Sequence, residues 1–258
     1  MRLIVLPLTR NRSILYCQQA LLPKVRSKPR FDDRVAAKAA KTWANFESSP
    51  TKWKQRLVAG VNWALERIPY EEWSLKTVPS QNTYMRKVQE TGDLVAPKEL
   101  LASGVSAKDL EPLELVYPTT AMTFEQARSE LGKFATAGIS RHKTHMLYCA
   151  VGLPLTLPIA LVPVVPNVPG FYLLYRLWSN WKAWEGAKHL DHLLADTHLK
   201  GCQLPALDYI YQDGRPEMIL EDQVKVIERI FGIDGLGQEL TRALHQCQNR
   251  QTNQQPER

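Results

Sequence analysis

The sequence predicts a mainly α-helical chain that opens on a small N-terminal β element and carries one proline-tipped hydrophobic helical hairpin associated with a membrane. Three observations predict it. Arg2-Leu3-Ile4-Val5-Leu6-Pro7 is a short apolar run rich in strand formers. From Lys52, the apolar positions Trp53, Leu57, Val61, Ala64, Leu65 and Ile68 recur at three- and four-residue steps, the helical period. No charged residue occurs from Thr144 to Tyr175, and within that stretch Pro163, Pro166 and Pro169 crowd around Asn167 and Gly170.

The chain has 258 residues, 44% of them hydrophobic, enough for one large domain or two small ones. The elements follow in order. Residues 1–30 form a basic strand and loop segment, with one or two short strands over 1–17 separated by Thr9-Arg10-Asn11-Arg12. This segment is also where the charge sits. Arg2, Arg10, Arg12, Lys24, Arg26, Lys28 and Arg30 precede the first acid, Asp32, and equal the whole net charge of +7. An arginine-rich, acid-free N-terminus has the composition of mitochondrial targeting information, although its first residues read as strand rather than amphipathic helix.

Residues 31–143 are expected to be a mostly helical soluble region. A helix over 31–47 ends at Ser48-Ser49-Pro50, and the next stops near Pro69. Trp43, Trp53, Trp63 and Trp73 lie ten residues apart. Ten residues advance a helix by about 1000°, so these rings share no face and their spacing is no repeat. Thr91-Gly92-Asp93 and Ser103-Gly104 read as turns, and 113–117 as a short strand. Thr123-Phe124-Glu125-Gln126 has the form of a capping box and opens a helix to about Lys143.

Residues 144–177 form the hydrophobic hairpin. As one helix, the 32 uncharged residues would measure about 48 Å against a hydrocarbon core of about 30 Å. Prolines break that helix, and Asn167 and Gly170 supply turn chemistry, so Pro163, Pro166, Asn167, Pro169 and Gly170 mark the tip between two short arms. Such a tip needs protein cover or the far interface, because lipid offers its backbone no partners. Lys133, Arg141 and Lys143 precede the run, and Arg176, Lys182 and Lys188 follow it, as expected when both ends face one compartment. Tyr172, Tyr175, Arg176, Trp178, Trp181 and Trp184 read as interfacial anchors.

Residues 178–247 are expected to be helical: one helix to about residue 200, a turn at Asp213-Gly214-Arg215-Pro216, and two closing helices on either side of residues 232–235. Residues 248–258 read as a polar, disordered tail.

No nucleotide-binding glycine loop, nucleophile elbow or EF-hand loop occurs, so the chain is not expected to be an enzyme or to hold a cofactor. His142-x-x-His145 and His189-x-x-His192 pair imidazoles on helix faces but lack the further ligands that zinc needs, and no metal is expected. The scattered Cys17, Cys149, Cys202 and Cys247 fit a reducing compartment.

Several stretches resemble the fungal mitochondrial potassium–proton exchange-related proteins. These are Met1-Arg2-Leu3 with Leu6-Pro7, Tyr16-Cys17, and chiefly Pro154-Leu155-Thr156 through Val162-Pro163-Val164-Val165-Pro166-Asn167. Tyr172, Tyr175-Arg176, Trp178-Ser179 and Lys188-His189-Leu190 continue the likeness. The resemblance runs to about residue 200. It implies the mitochondrial inner membrane and a role in potassium–proton exchange; the bulk of the chain is expected to face the matrix. Between Thr144 and Tyr175 no Asp, Glu, Lys or Arg is available to carry a proton, so an accessory or regulatory role is the first expectation. The alternatives are the exchanger itself as an oligomer, and a membrane tether for mitochondrial ribosomes. Expected partners are inner-membrane lipid, including cardiolipin, other exchange-system subunits, and further copies of the chain. Nucleic acid is not expected, because the basic excess is local and lacks interleaved aromatics.

Overall fold

The computed structural model describes residues 1–18, 51–52, 55–56, 58–60, 63, 67–81, 113–160, 167–196, 199–233 and 235–252. The chain divides into two compact units, Met1–Ala20 with Pro69–Arg258, and Leu21–Ile68. In the second, residues 52, 55, 56, 58–60 and 63 are helical, and the Arg67 guanidinium lies 3.4 Å from the Trp63 ring centroid. The helix expected over 31–47, Trp43 and Trp53, the turns at 91–93 and 103–104, and Pro163 and Pro166 lie outside the described residues.

The first unit is mainly helical around a small sheet. The N-terminal β element is two strands, β1 (Arg2–Thr9) and β2 (Arg12–Gln18), which pair as an antiparallel hairpin. On its other edge β1 pairs in parallel with β3 (Leu113–Val116), and β3 in parallel with β4 (Leu199–Cys202), giving the order β2-β1-β3-β4. Pro7 is tolerated inside β1 because β3 pairs only with Arg2 to Ile4, and the ladder to β2 shifts register just beyond it. Leu199 and Lys200 belong to β4 rather than to the helix expected to reach about residue 200. Their pairing with Leu113 and Glu114 has no local signal.

Both faces of β1 are covered, which is why it reads as a continuous apolar run rather than an alternating one. Leu3 and Val5 point into one core with Leu15, Cys17 and Leu115. That core is closed by α1 (Tyr70–Thr77), α2 (Phe124–Leu155) and α4 (Val168–Asp196) through Leu75, Leu131, Ala135, Ala183, Ala187 and Leu190. Ile4, Leu6 and Leu8 point into a second core, closed by α5 (Pro205–Ile210), α6 (Glu221–Phe231) and α7 (Leu236–Thr252).

The capping box at Thr123 is present. Thr123 Oγ1 accepts from the Gln126 N–H at 3.3 Å, and Gln126 Oε1 accepts from the Thr123 N–H at 2.9 Å. From there α2 runs unbroken for 32 residues, so the helix expected to end near Lys143 and the first arm of the hairpin are one element. Nothing between them breaks a helix, since Pro154 falls only in its last turn. Helix α3 (Leu157–Ala160) prolongs it briefly. The second arm is likewise the first half of the 29-residue α4. Asn167 caps it, accepting from the Gly170 N–H at 2.9 Å, and Pro169 stands in the first turn, where a missing N–H removes no helical bond.

Gly232 ends α6 in the left-handed region at φ 58°, as the expected break at 232–235 requires. Residues 248–252, expected as disordered tail, are the last turns of α7. Leu240, Leu244 and Cys247 bury its preceding turns, and Arg250 reaches Glu71 at 2.8 Å.

Candidate functional site at the root of the hairpin

Helices α2 and α4 pack along each other and project beyond the sheet as a helical hairpin. At its root α1 lies against both. The approach is close because Gly138 and Gly186 face α1: a Cβ at Gly186 would run into the Leu75 carbonyl oxygen and stand 3.0 Å from that of Val78. Glu72 and Lys76, one helical turn apart on α1, thereby enter the protein interior.

Glu72 is 1% exposed. Its Oε1 accepts from Arg176 Nη1 at 2.8 Å and from Ser179 Oγ at 2.6 Å, both on α4. Lys76 Nζ donates to the same Ser179 Oγ at 3.0 Å and lies 3.6 Å from the Trp73 ring centroid. Burial pushes the Lys76 ammonium down to about 8, with Glu72 and Glu239 pulling the other way. One turn along α4, the Asn180 amide donates to the Arg176 carbonyl at 2.7 Å, so its oxygen faces His142 at 2.8 Å. That oxygen can only accept, which assigns the proton of neutral His142 to Nδ1. His142 also lines a cleft of about 200 Å³ between α2, α1 and the β1–β2 turn, with Arg12, Glu71, Glu130 and Arg141 among its walls.

His142 and His189 are both buried, and burial lowers both imidazoles below their ordinary value. The unfolded chain therefore binds these protons at higher pH than the folded one. The stability they permit is full above about pH 6.5 and falls as the pH drops toward the folded-state values. Thermal melts between about pH 7.5 and about pH 5 are expected to show this loss, and His142→Gln, which keeps a donor for Asn180, is expected to flatten it. An unchanged slope would place the titration elsewhere.

Beyond the root, the arms expose what soluble helices bury. Leu147, Tyr148, Val151 and Leu155 stand out on α2, Leu157 on α3, and Phe171, Leu174, Trp178 and Trp181 on α4, with Leu155 77% exposed. Between the arms Asn167 Nδ2 donates to the Thr156 carbonyl at 2.9 Å, pinning the far end. Among the described residues no helix is long and apolar enough to cross a membrane.

The sequence-predicted residues separate along this hairpin. Asn167 caps α4, Pro169 and Gly170 stand in its first turn, and Tyr172 and Tyr175 are half-buried along it. Trp178 and Trp181 face outward, 42% and 43% exposed. Arg176 instead turns inward to Glu72, and the Trp184 indole N–H is buried with no hydrogen-bond partner among the described residues. The histidine pairs are used in packing, His142 on Asn180 and His189 on the Pro79 carbonyl at 2.6 Å. Glu72, Lys76, Ser179 and Asn180 were not foreseen. The one available signal was Ser179-Asn180 between Trp178 and Trp181, since adjacent polar side chains in an aromatic run need partners.

A family model described as mitochondrial K+-H+ exchange-related matches residues 2–194, which include the strand hairpin, α1 and both arms. An uncharacterized protein of Saccharomyces cerevisiae is 31% identical over 221 residues, covering 83% of this chain and 69% of its own. An uncharacterized protein of Schizosaccharomyces pombe is 29% identical over 168 residues, covering 64% of this chain and 62% of its own. No solved structure matches.

Proposed function

The chain belongs to the mitochondrial K+-H+ exchange-related family, and on that premise we propose that it is a non-enzymatic, accessory or regulatory component of exchange, held by its hairpin in the inner membrane with the bulk of the chain on the matrix side. The observation that carries this reading is the row of large apolar side chains exposed on both arms. An apolar surface of this kind on a soluble protein marks a contact with lipid or another protein.

Arm length favours entry without crossing. The His142–Asn180 hydrogen bond aligns the two helices at one level. From that level α2 continues 13 residues to Leu155, about 20 Å, and α4 extends back 12 residues to Val168, about 18 Å. With α3 the first arm reaches about 27 Å from that level to Ala160, still short of a hydrocarbon core of about 30 Å, so the described arms suit entry rather than a full span. The accessory role rests on chemistry. From Thr144 to Tyr175 no side chain is charged, and the buried carboxylate at the root, Glu72, is engaged by Arg176. Lipid, other exchange subunits and further copies of the chain are the partners this reading requires.

Flotation with vesicles tests the anchor. The wild type is expected to float and to resist high salt. Leu147→Glu with Phe171→Glu is expected to remain in the soluble fraction at an unchanged melting temperature, because both side chains are exposed. Flotation of that variant with the wild type would overturn the anchor. In proteoliposomes holding a trapped pH dye, an imposed potassium gradient is expected to move no protons through the chain alone. Potassium-dependent proton movement would instead make it the exchanger.

A further inference from the structure

We infer that the root of the hairpin carries a cationic collar, Arg141 and Lys143 on α2 and Lys182 on α4, that recognises a membrane surface rich in anionic phospholipid. This deepens the membrane reading above and rests on it.

The charge pattern is one-sided. No acidic residue occurs between Glu130 and Glu185, so every formal charge over these 54 residues of hairpin is positive. The structure divides those cations by task. Lys133 pairs with Glu130 at 3.0 Å, beyond the hairpin end of the acid-free stretch, and Arg176 is committed to buried Glu72. Just outside the stretch, Lys188 pairs with Glu185 at 3.0 Å and sits on the Trp184 ring. Arg141 and Lys143 are exposed, and among the described residues neither has an ion-pair partner. Lys182 reaches over the two exposed indoles, 5.9 Å from the Trp178 ring centroid and 5.3 Å from that of Trp181.

Geometry gathers these three at one height. His142 faces Asn180 at 2.8 Å, which sets residues 141–143 of α2 level with the turn around residue 180 of α4. Successive helical residues differ by about 100°, so Arg141 and Lys143 emerge on opposite flanks of the inward-facing His142. Lys182 lies within one turn of Asn180 on the second helix. Trp178 and Trp181 are exposed at the same height, and the other large apolar side chains exposed on the arms lie on the tip side of it. Indoles, which favour the interface, beside cations, with large apolar side chains exposed beyond, form the profile of a headgroup boundary. The complement of that collar is a layer of phosphates, negatively charged where the lipid is anionic.

Flotation and titration onto vesicles test this, using neutral phosphatidylcholine alone or mixed with an anionic phospholipid. The wild type is expected to enter both and to bind the anionic mixture more tightly. At about fivefold per cation near an anionic surface, Arg141→Gln with Lys143→Gln and Lys182→Gln is expected to lower binding to the anionic mixture roughly 100-fold, leaving binding to neutral vesicles and the melting temperature unchanged. A control with the same loss of charge on exposed side chains elsewhere, Lys200→Gln with Lys225→Gln and Arg229→Gln, is expected to keep the preference. An equal loss in that control would reduce the effect to net charge and overturn the collar. Displacement by inorganic phosphate at matched ionic strength would make the cluster a free-anion site and overturn it as well. Equal wild-type binding to neutral and anionic vesicles overturns the collar but leaves the inserted hairpin standing. Binding to neither overturns the membrane reading itself.

Discussion

Glu72→Ala is expected to lower the unfolding free energy by about 3–5 kcal/mol, the range for removing one partner of a buried ion pair. The loss exceeds that of a single hydrogen bond because of what remains. The Arg176 side chain is 13% exposed and would keep its charge with its carboxylate partner gone, and Lys76 would be left with the weaker pull of Glu239. Arg176→Met, leaving the Glu72 carboxylate buried with Ser179 and with Lys76 held only through that hydroxyl, is expected to cost a similar amount. The double change Glu72→Met with Arg176→Met is expected to recover most of the loss, since a well-packed apolar pair often matches a buried ionic one. Chemical denaturation of the four proteins closes the cycle. A double variant as unstable as the sum of the single ones would mean that the two groups act independently and that the pair does not organise the root. Because Glu72 is on α1 and Arg176 on α4, hydrogen exchange in α4 is expected to quicken in either single variant.

Gly186→Ala is expected to destabilise by about 3 kcal/mol, the upper part of the range for overpacking, or more. The added methyl would meet the backbone carbonyl of Leu75, so no rotamer change relieves it, and the C-terminal end of α1 must shift. That shift would move Lys76 off Ser179 and loosen the seat of Glu72. Gly132→Ala is the matched control. It lies on α2, a Cβ there would meet nothing within 4 Å, and the change is expected to stabilise by up to about 1 kcal/mol through helix propensity alone. Thermal melts of the two variants are expected to move in opposite directions. A shift of the same sign would show that the approach of α1 to α4 is not tight at Gly186.

The local elements were legible wherever neighbouring residues carry the signal. The apolar Leu3 to Leu6 run announces a buried strand, Thr123 and Gln126 announce the start of α2, and Gly232 announces the end of α6. Asn167 announces the start of α4 for the same reason, through its capping chemistry. The extent of the helices was not. Because the charged-to-apolar change at residues 143–144 is a change of surroundings rather than of backbone, α2 crosses it without interruption. The polar stretch at 248–252 misled in the opposite sense, since buried Leu240, Leu244 and Cys247 hold the start of a helix that polar residues then extend.

By itself, the sequence determined the family, the small N-terminal strand element and the uncharged stretch with its cationic flanks. Those features depend on residue chemistry and on spacings of a few positions. The tertiary structure alone decided that β3 and β4 complete the sheet, that Arg176 turns inward, and that Glu72 is its counter-charge 104 residues away. The physical reason is that Glu72 and Lys76, four apart on a short helix, satisfy the pattern of a solvated surface pair. Only the close seat offered by Gly138 and Gly186 places them in the interior, where an unpaired charge is not tolerated and a partner on another helix becomes obligatory.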